Sequence, residues 1–129
     1  MTMQEFIQTN KLDYTRRKAI KNPSMPDMPR HFYFSIVNRT TGNKMGVYFS
    51  QGSAHTKAPT LDEVLECLAS DAAGVENAKT FEDWCGDYGY DTDSRKAEKT
   101  WKTVAQQADK LKSLLGAEYE TLLWKIERE

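Results

Sequence analysis

Carboxylates are the densest group of side chains in this sequence that could do chemistry. Ten of the 19 acidic residues lie between residues 60 and 93, where Lys79 is the only basic residue. Five of the ten form what we call the acidic patch: Glu82, Asp83, Asp87, Asp91 and Asp93. Positioned carboxylates can ligate a hard cation or present a negative surface to a basic partner.

The spacing in the acidic patch does not fit a calcium loop. An EF-hand needs ligands at positions 1, 3 and 5 of its loop. With Asp91 at position 1, Asp93 occupies position 3, but Arg95 falls at position 5. The pattern therefore predicts no metal site, and the remaining interpretations are a partner-binding surface or acids that favour a helix N-terminus.

Two groups of basic residues suggest a different chemistry. Residues 1–59 carry nine basic and three acidic residues, a net charge of +6, and include Arg16, Arg17 and Lys18 close to several aromatics. A second group consists of Arg95, Lys99 and Lys102, which are predicted to share one face of a helix over residues 95–115. This helix is α4 in the fold described below, and we call the group the α4 basic row. Such residues can bind a phosphate backbone and stack on bases. The pI of about 6.1 is far below that of a dedicated nucleic-acid binder, so we keep this as the alternative.

Catalytic residues are sparse. The chain has two histidines, His31 and His55. Ser53 or Cys85 could pair with His55, but Ser53 lies only two residues away on a predicted loop, and no nucleophile elbow surrounds it. The glycines of residues 42–52 precede no helix at the spacing of a phosphate loop. We therefore predict a protein that is not an enzyme and needs no cofactor.

The elements that must position these residues begin with a sheet. Residues 31–50 predict a hairpin, because apolar residues alternate on both sides of a turn signal at residues 40–43. A hairpin alone is marginal in water. Residues 12–20, whose alternation is poorer, are therefore predicted as a possible third strand. Three prolines make residues 22–29 a predicted loop.

Helices follow the sheet in the sequence. Apolar residues recur at helical spacing over residues 61–77, 81–88, 95–115 and 117–127. Thr60, Thr80 and Ser94 are predicted N-caps, and Gly116 ends the longest helix. The predicted fold class is α+β, with a short antiparallel sheet packed against three to four helices. A chain of 129 residues is expected to form a single domain, residues 1–129.

The apolar runs and the cysteines of the sequence indicate the cellular compartment of the protein. The sequence contains no apolar run long enough to cross a membrane and no signal-peptide pattern at its start. Its two cysteines, Cys67 and Cys85, lie among apolar residues of predicted helices, which is typical of reduced core thiols. We therefore expect a soluble protein of the cytoplasm, with no membrane partner.

Several segments resemble a family of small proteins carried by phages, prophages and other mobile elements. The similarity lies in YFSQGSAH (residues 48–55), VLECLASDA (64–72), FEDWC (81–85) and YGYDTDSRKAEKT (88–100). The resemblance implies a small accessory protein of a mobile element but supplies no catalytic residues. Such proteins often inhibit host defence, including CRISPR and restriction systems.

The segment most similar to that family is residues 81–99. It contains the acidic patch and the start of the α4 basic row, so we expect any functional surface there, with residues 50–55 as a second place to look. Trp84, Tyr88 and Tyr90 also lie in the segment, either on that surface or as core residues that join two helices. The leading hypothesis is a binding protein whose acidic patch contacts a host or phage protein, such as a basic nucleic-acid-handling complex.

Overall fold

The computed structural model describes residues 1–18, 31–50 and 60–126, and the side chains of residues 1–15, 33–47 and 60–126. In chain order the elements are α1 (Met3–Thr9), β1 (Leu12–Lys18), β2 (His31–Asn38), β3 (Lys44–Ser50), α2 (Leu61–Ala78), α3 (Phe81–Tyr88), α4 (Arg95–Leu115) and α5 (Glu118–Trp124). The predicted α+β class, with an antiparallel sheet and helices after it, is confirmed.

The three strands form one antiparallel sheet in the order β1-β2-β3. Phe34 and Ile36 are fully buried, and each lies opposite a buried residue of β3, since Phe34 pairs with Val47 and Ile36 with Met45. The predicted hairpin is therefore confirmed, with its apolar face toward the core. The predicted third strand is also present as Leu12–Lys18, while residues 19, 20 and 22–29 lie outside the described part of the chain.

The helices begin where the capping residues predict. The hydroxyls of Thr60, Thr80 and Ser94 each accept a backbone N–H bond from the residue three positions later, at 3.2–3.3 Å. These bonds satisfy donors that a helix start otherwise leaves unpaired. The ranges 81–88 and 95–115 are confirmed, α2 runs one residue past its predicted end, and α5 spans only Glu118–Trp124 of the predicted 117–127.

Most buried side chains belong to one cluster, which we call the sheet-end core. It combines the inner face of the sheet with α1, the first part of α2, the last part of α4, and α5. Phe6, Leu65 and Leu111 are among its fully buried members. Because the start of α2 meets the end of α4 here, the two helices run antiparallel, and their opposite ends meet away from this core.

Two asparagines attach the sheet to the end of α4. The side-chain N–H of Asn38 donates to the carbonyl of Leu114 at 3.0 Å, and that of Asn43 donates to the carbonyl of Ser113 at 2.9 Å. Asn38 is 3% exposed, and its side-chain oxygen accepts a bond from the backbone N–H of Thr40. Helix-end carbonyls that lack partners within the helix are thereby satisfied.

The prediction of core thiols is confirmed for Cys85, which is buried, and is wrong for Cys67, which lies on the exposed face of α2. Both are free thiols. Among the described residues, no helix is long and apolar enough to cross a membrane.

Candidate functional site

A second, smaller cluster lies where the end of α2, α3 and the start of α4 meet. Its buried members are Ala78, Trp84, Cys85 and Ala97. Val75, Phe81 and Trp101 pack against them and are partly buried. We call this cluster, together with Tyr88 and Tyr90, the aromatic end. Most of its aromatic residues come from residues 81–99, the segment in which the sequence motifs predict a functional surface.

Trp84 is the centre of the aromatic end and is 4% exposed. Its ring contacts those of Tyr90 at a centroid distance of 5.1 Å, Tyr88 at 5.3 Å, Trp101 at 5.5 Å and Phe81 at 6.5 Å. Aromatic pairs at such distances contribute roughly 0.5–1.5 kcal/mol beyond the area they bury. Trp84 therefore joins four rings that come from α3, the α3–α4 loop and α4, two of them stacked on it and two tilted against it.

Two of these rings face the outside. Tyr88 is 53% exposed and Tyr90 is 38% exposed. The loop places Tyr90 because Gly89 takes the left-handed conformation at φ 74° and the backbone N–H of Tyr90 donates to the carbonyl of Cys85 at 2.8 Å. Tyr90 then lies nearly parallel to Trp84, with 9° between the ring planes, so its exposed area comes from the opposite face and the edge.

Gly74 of α2 gives Tyr88 room to lie on the helix. A Cβ at this position would overlap the Tyr88 hydroxyl oxygen and would also lie 3.1 Å from the ring carbon that bears it. Glycine within a helix costs about 1 kcal/mol relative to alanine. The close contact with Tyr88 accounts for glycine at a position where helix propensity favours alanine.

The acidic patch belongs to the same segment of the chain as these rings. All five of its residues are exposed, and residues 80–93 include no lysine or arginine. In the described part of the chain none of the five carboxylates forms an ion pair. Burial raises the pKa of the Cys85 thiol, and the negative charges of Glu82 and Asp91 raise it further.

The arrangement presents charge and aromatic surface without a built metal cage. Within the described residues, no three acidic, histidine or cysteine side chains are placed to hold a metal ion. The carboxylate of Asp91 instead accepts the backbone N–H of Asp93 at 3.0 Å, which shapes the loop ahead of α4. We call Tyr88, Tyr90 and the acidic patch together the acidic–aromatic surface. Its chemistry suits a cationic partner.

The α4 basic row begins beside this surface. Arg95, Lys99 and Lys102 are all exposed. Lys102 pairs with Glu98 at 3.1 Å, while Arg95 and Lys99 form no ion pair with any described residue. Pairs as exposed as Lys102 and Glu98 contribute only about 0.3–0.5 kcal/mol, so this ion pair restrains Lys102 weakly.

The basic residues of β1 occupy three consecutive positions of the strand. In the register of the sheet, Arg17 pairs with Tyr33, and Tyr33 pairs with Tyr48. Arg16 pairs with Phe34, and Lys18 pairs with Phe32. The side chains of Arg16, Arg17 and Lys18 lie outside the described ones.

The residues considered for catalysis are placed only in part. His55, Ser53 and residues 51–55 lie outside the described residues, as does the side chain of His31. Cys85 is fully buried, and burial raises its pKa, so its thiol is protonated at neutral pH. Reactive cysteines need the reverse, an accessible thiol with a lowered pKa.

The exposure of Tyr88 and Tyr90 is the feature that sequence reasoning left open. The i, i+3, i+4 spacing of Phe81, Trp84 and Cys85 marks an inner side of α3, but it does not say where that side ends. Trp84, Tyr88 and Tyr90 were predicted either as core residues or as part of the surface, and each prediction holds for some of them. Trp84 is a core residue, and the two tyrosines lie on the surface. Gly74 is the one signal in the sequence that could have indicated the position of Tyr88, because a glycine inside a strong helix indicates that another residue packs closely against it.

Comparison of the chain with protein-family models, with curated proteins and with solved structures found no significant match. The resemblance to mobile-element proteins therefore stays a prediction from the sequence motifs.

Proposed function

We propose that this chain is a non-enzymatic binding protein that uses the acidic–aromatic surface to contact a basic protein partner. The observation that carries the proposal is a pair of exposed tyrosine rings that contact Trp84. The same segment carries five exposed carboxylates without ion-pair partners among the described residues.

Physical chemistry supports this assignment in two ways. Tyrosine is enriched in protein interfaces, where a rigid ring supplies contact area at a small cost in conformational entropy. Unpaired carboxylates attract a positively charged partner, accelerate its association and disfavour partners of like charge. The acidic patch and the two rings lie in one segment, so one partner can engage both.

The motifs shared with mobile-element proteins suggest the setting. In that setting the chain acts in the cytoplasm of the host cell as an accessory protein of a phage or related element. The partner is then a host or phage protein that handles nucleic acid and is therefore basic. Inhibition of a defence complex of the CRISPR or restriction type follows if the acidic patch occupies a site where that complex binds nucleic acid.

The test is capture of partners from a lysate of the bacterial host with tagged protein, with and without nuclease. We expect a partner that is retained after nuclease treatment and released by salt. Lysine substitution of Glu82, Asp83 and Asp87 should abolish its capture. The matched control places lysine at Asp62, Glu66 and Asp71, which changes the charge equally on α2.

Comparison of the two triple variants shows whether binding depends on the charge of the acidic patch or only on the net charge of the chain. Loss of capture in both would indicate that net charge alone drives binding. Retention of the partner by the Glu82, Asp83 and Asp87 variant would refute the acidic-surface mechanism. Circular dichroism checks that α3 still forms, since Glu82 and Asp83 also stabilise its first turn.

A second candidate function is binding of single-stranded nucleic acid, and the strand register favours it. Arg17, Tyr33 and Tyr48 form one row of paired residues across the three strands. Gly46 adjoins this row, and the Tyr33 hydroxyl lies where a Cβ of residue 46 would be. A basic residue beside aromatic residues on a sheet suits stacking on bases.

Fluorescence polarisation with labelled single strands at about 50 mM salt decides this candidate, since phosphate-driven binding is strongest at low salt. Binding that is lost on substitution of Arg17 and Tyr33 would support it. Absence of binding would remove it. If the strands do bind, substitution of Arg16, Lys18 or the α4 basic row should weaken binding to all sequences equally and reduce its salt dependence.

A further inference from the structure

The rings of Tyr88 and Tyr90 are anchored at one side and open at the other. Tyr90 is stacked on Trp84 with 9° between the planes, and Tyr88 meets the same indole at 42°. Trp84 is itself supported by Trp101 at 5.5 Å and Phe81 at 6.5 Å. The exposed ring surfaces are therefore in place before a partner arrives, which lowers the ordering cost of binding.

Carboxylates flank these ring surfaces on both sides in the sequence. Asp87 precedes Tyr88, and Asp91 follows Tyr90. Neither carboxylate has an ion-pair partner among the described residues. A group that binds here must satisfy two demands at once, a flat face for the rings and hydrogen-bond donors for the carboxylates.

Arginine meets both demands better than lysine does. The guanidinium group is planar, stacks on aromatic faces, is weakly hydrated and donates two parallel bonds to a carboxylate. The lysine ammonium is compact and strongly hydrated, so it gains less from a ring. An acidic surface without rings would attract both residues similarly through charge alone.

We propose that the acidic–aromatic surface selects arginine side chains of its partner, with guanidinium groups stacked on Tyr88 and Tyr90 and hydrogen-bonded to the acidic patch. This inference rests on the proposed function and names the partner chemistry. The occupant is an arginine-bearing protein segment. Charge complementarity and the two open rings together argue for it.

The test uses the full chain with Trp124→Phe. The chain has three tryptophans, so the remaining emission comes from Trp84 and Trp101 in the aromatic end. Two peptides of the same sequence, one with arginines and one with lysines at the same positions, are titrated at about 50 mM salt. We expect the arginine peptide to bind roughly two- to fivefold more tightly for each ring engaged.

Variants identify the rings as the source of that preference. The double variant Tyr88→Ala and Tyr90→Ala should bind both peptides equally, while Tyr88→Phe should retain the preference. Gly74→Ala is an independent variant, because the added methyl group displaces the Tyr88 ring and leaves every carboxylate unchanged. It should reduce the preference for arginine even if the double variant fails to fold.

The outcomes separate this inference from the proposed function. Equal affinities for the two peptides, lost on reversal of the acidic patch, would overturn arginine selection and leave the acidic binding surface standing. A preference that persists without both rings would also overturn it. If neither peptide binds, arginine selection is wrong, and capture from the lysate still decides whether the chain has a protein partner.

Discussion

The sheet-end core and the aromatic end share α2 and α4, but they bury their side chains to different extents. In the sheet-end core, Phe6, Phe34 and Leu111 from three separate elements are completely enclosed. In the aromatic end, Trp84 alone among the five rings is buried, and the other four are partly or largely exposed.

The difference shows how one helix pair can serve two purposes. Aliphatic side chains gain free energy by removal from water, about 25 cal/mol for each Å² buried, so the sheet-end core closes around them. Aromatic rings also gain from stacking, which lets Tyr88 and Tyr90 stay fixed while exposed. We infer that the sheet-end core supplies stability and that the aromatic end supplies a recognition surface.

Leu111→Ala should produce the largest loss of stability. Leu111 is fully buried on α4 within the sheet-end core, and removal of such a leucine leaves a cavity that costs about 2–5 kcal/mol. Urea denaturation followed by circular dichroism measures the free energy of unfolding. A loss under about 1 kcal/mol would contradict the assignment of stability to this core.

Asn38→Ala should have the next largest effect. It removes the bond to the Leu114 carbonyl at a buried position, and an unsatisfied buried polar group costs about 1–3 kcal/mol. Asn43→Ala is the matched control, since Asn43 donates to the neighbouring carbonyl of Ser113 but is exposed. Equal losses in the two variants would show that burial does not distinguish these bonds.

Thiol labelling of Cys85 should reveal that the aromatic end opens before the rest of the molecule. In a Cys67→Ser variant, Cys85 is the only thiol and is fully buried, so it reacts only after its surroundings open. We expect an opening free energy below that for global unfolding, because the buried cluster that contains Cys85 is much smaller than the sheet-end core. Equal values would show that the two regions unfold as one unit.

The same two thiols give stability a pH dependence. Removal from water is the main cause that raises the pKa of Cys85, which is fully buried. Cys67 is exposed, and its pKa is raised by partial removal from water and by the negative charges of Asp71, Glu66 and Glu63. A raised pKa means that the folded state holds these protons more tightly than the unfolded state. Their contribution to stability is therefore complete below the pKa of the unfolded thiols and declines as pH rises toward the folded values. Urea denaturation at increasing alkaline pH checks the sign against a variant with serine at both positions.

Tyr88→Ala should have the smallest effect on stability, below about 1 kcal/mol, because more than half of the side chain is already exposed. The same change should clearly weaken partner capture. Tyr119→Ala is the contrasting variant, since Tyr119 is buried and donates to Glu76 at 3.0 Å. A large loss of stability in Tyr88→Ala would make this ring a core residue instead.

Local patterns predicted much of the fold. The apolar stripe of α4 and the N-caps Thr80 and Ser94 gave the bounds of α3 and α4, because both signals lie within a few residues of the features they predict. The alternation of Phe34 and Ile36 gave the inner face of the hairpin. Trp124, which departs from the apolar stripe of its helix, is exposed as that departure suggests.

Contacts between distant residues could not be predicted in the same way. The bond from Asn38 to Leu114 joins residues 76 positions apart, and no local pattern encodes it. The register that pairs Arg17 with Tyr33, and Tyr33 with Tyr48, likewise joins residues far apart in the sequence. Exposure of Tyr88 depends on how α3 meets Gly74, a contact between helices.

Hydrogen–deuterium exchange of the free chain and of its complex with the captured partner tests the central claim most directly. If the aromatic end is the recognition surface, binding will slow exchange in residues 80–95 and leave the strands of the sheet unchanged. Slowed exchange in residues 12–18 and 31–50, with residues 80–95 unaffected, would contradict the account and move the binding surface to the sheet.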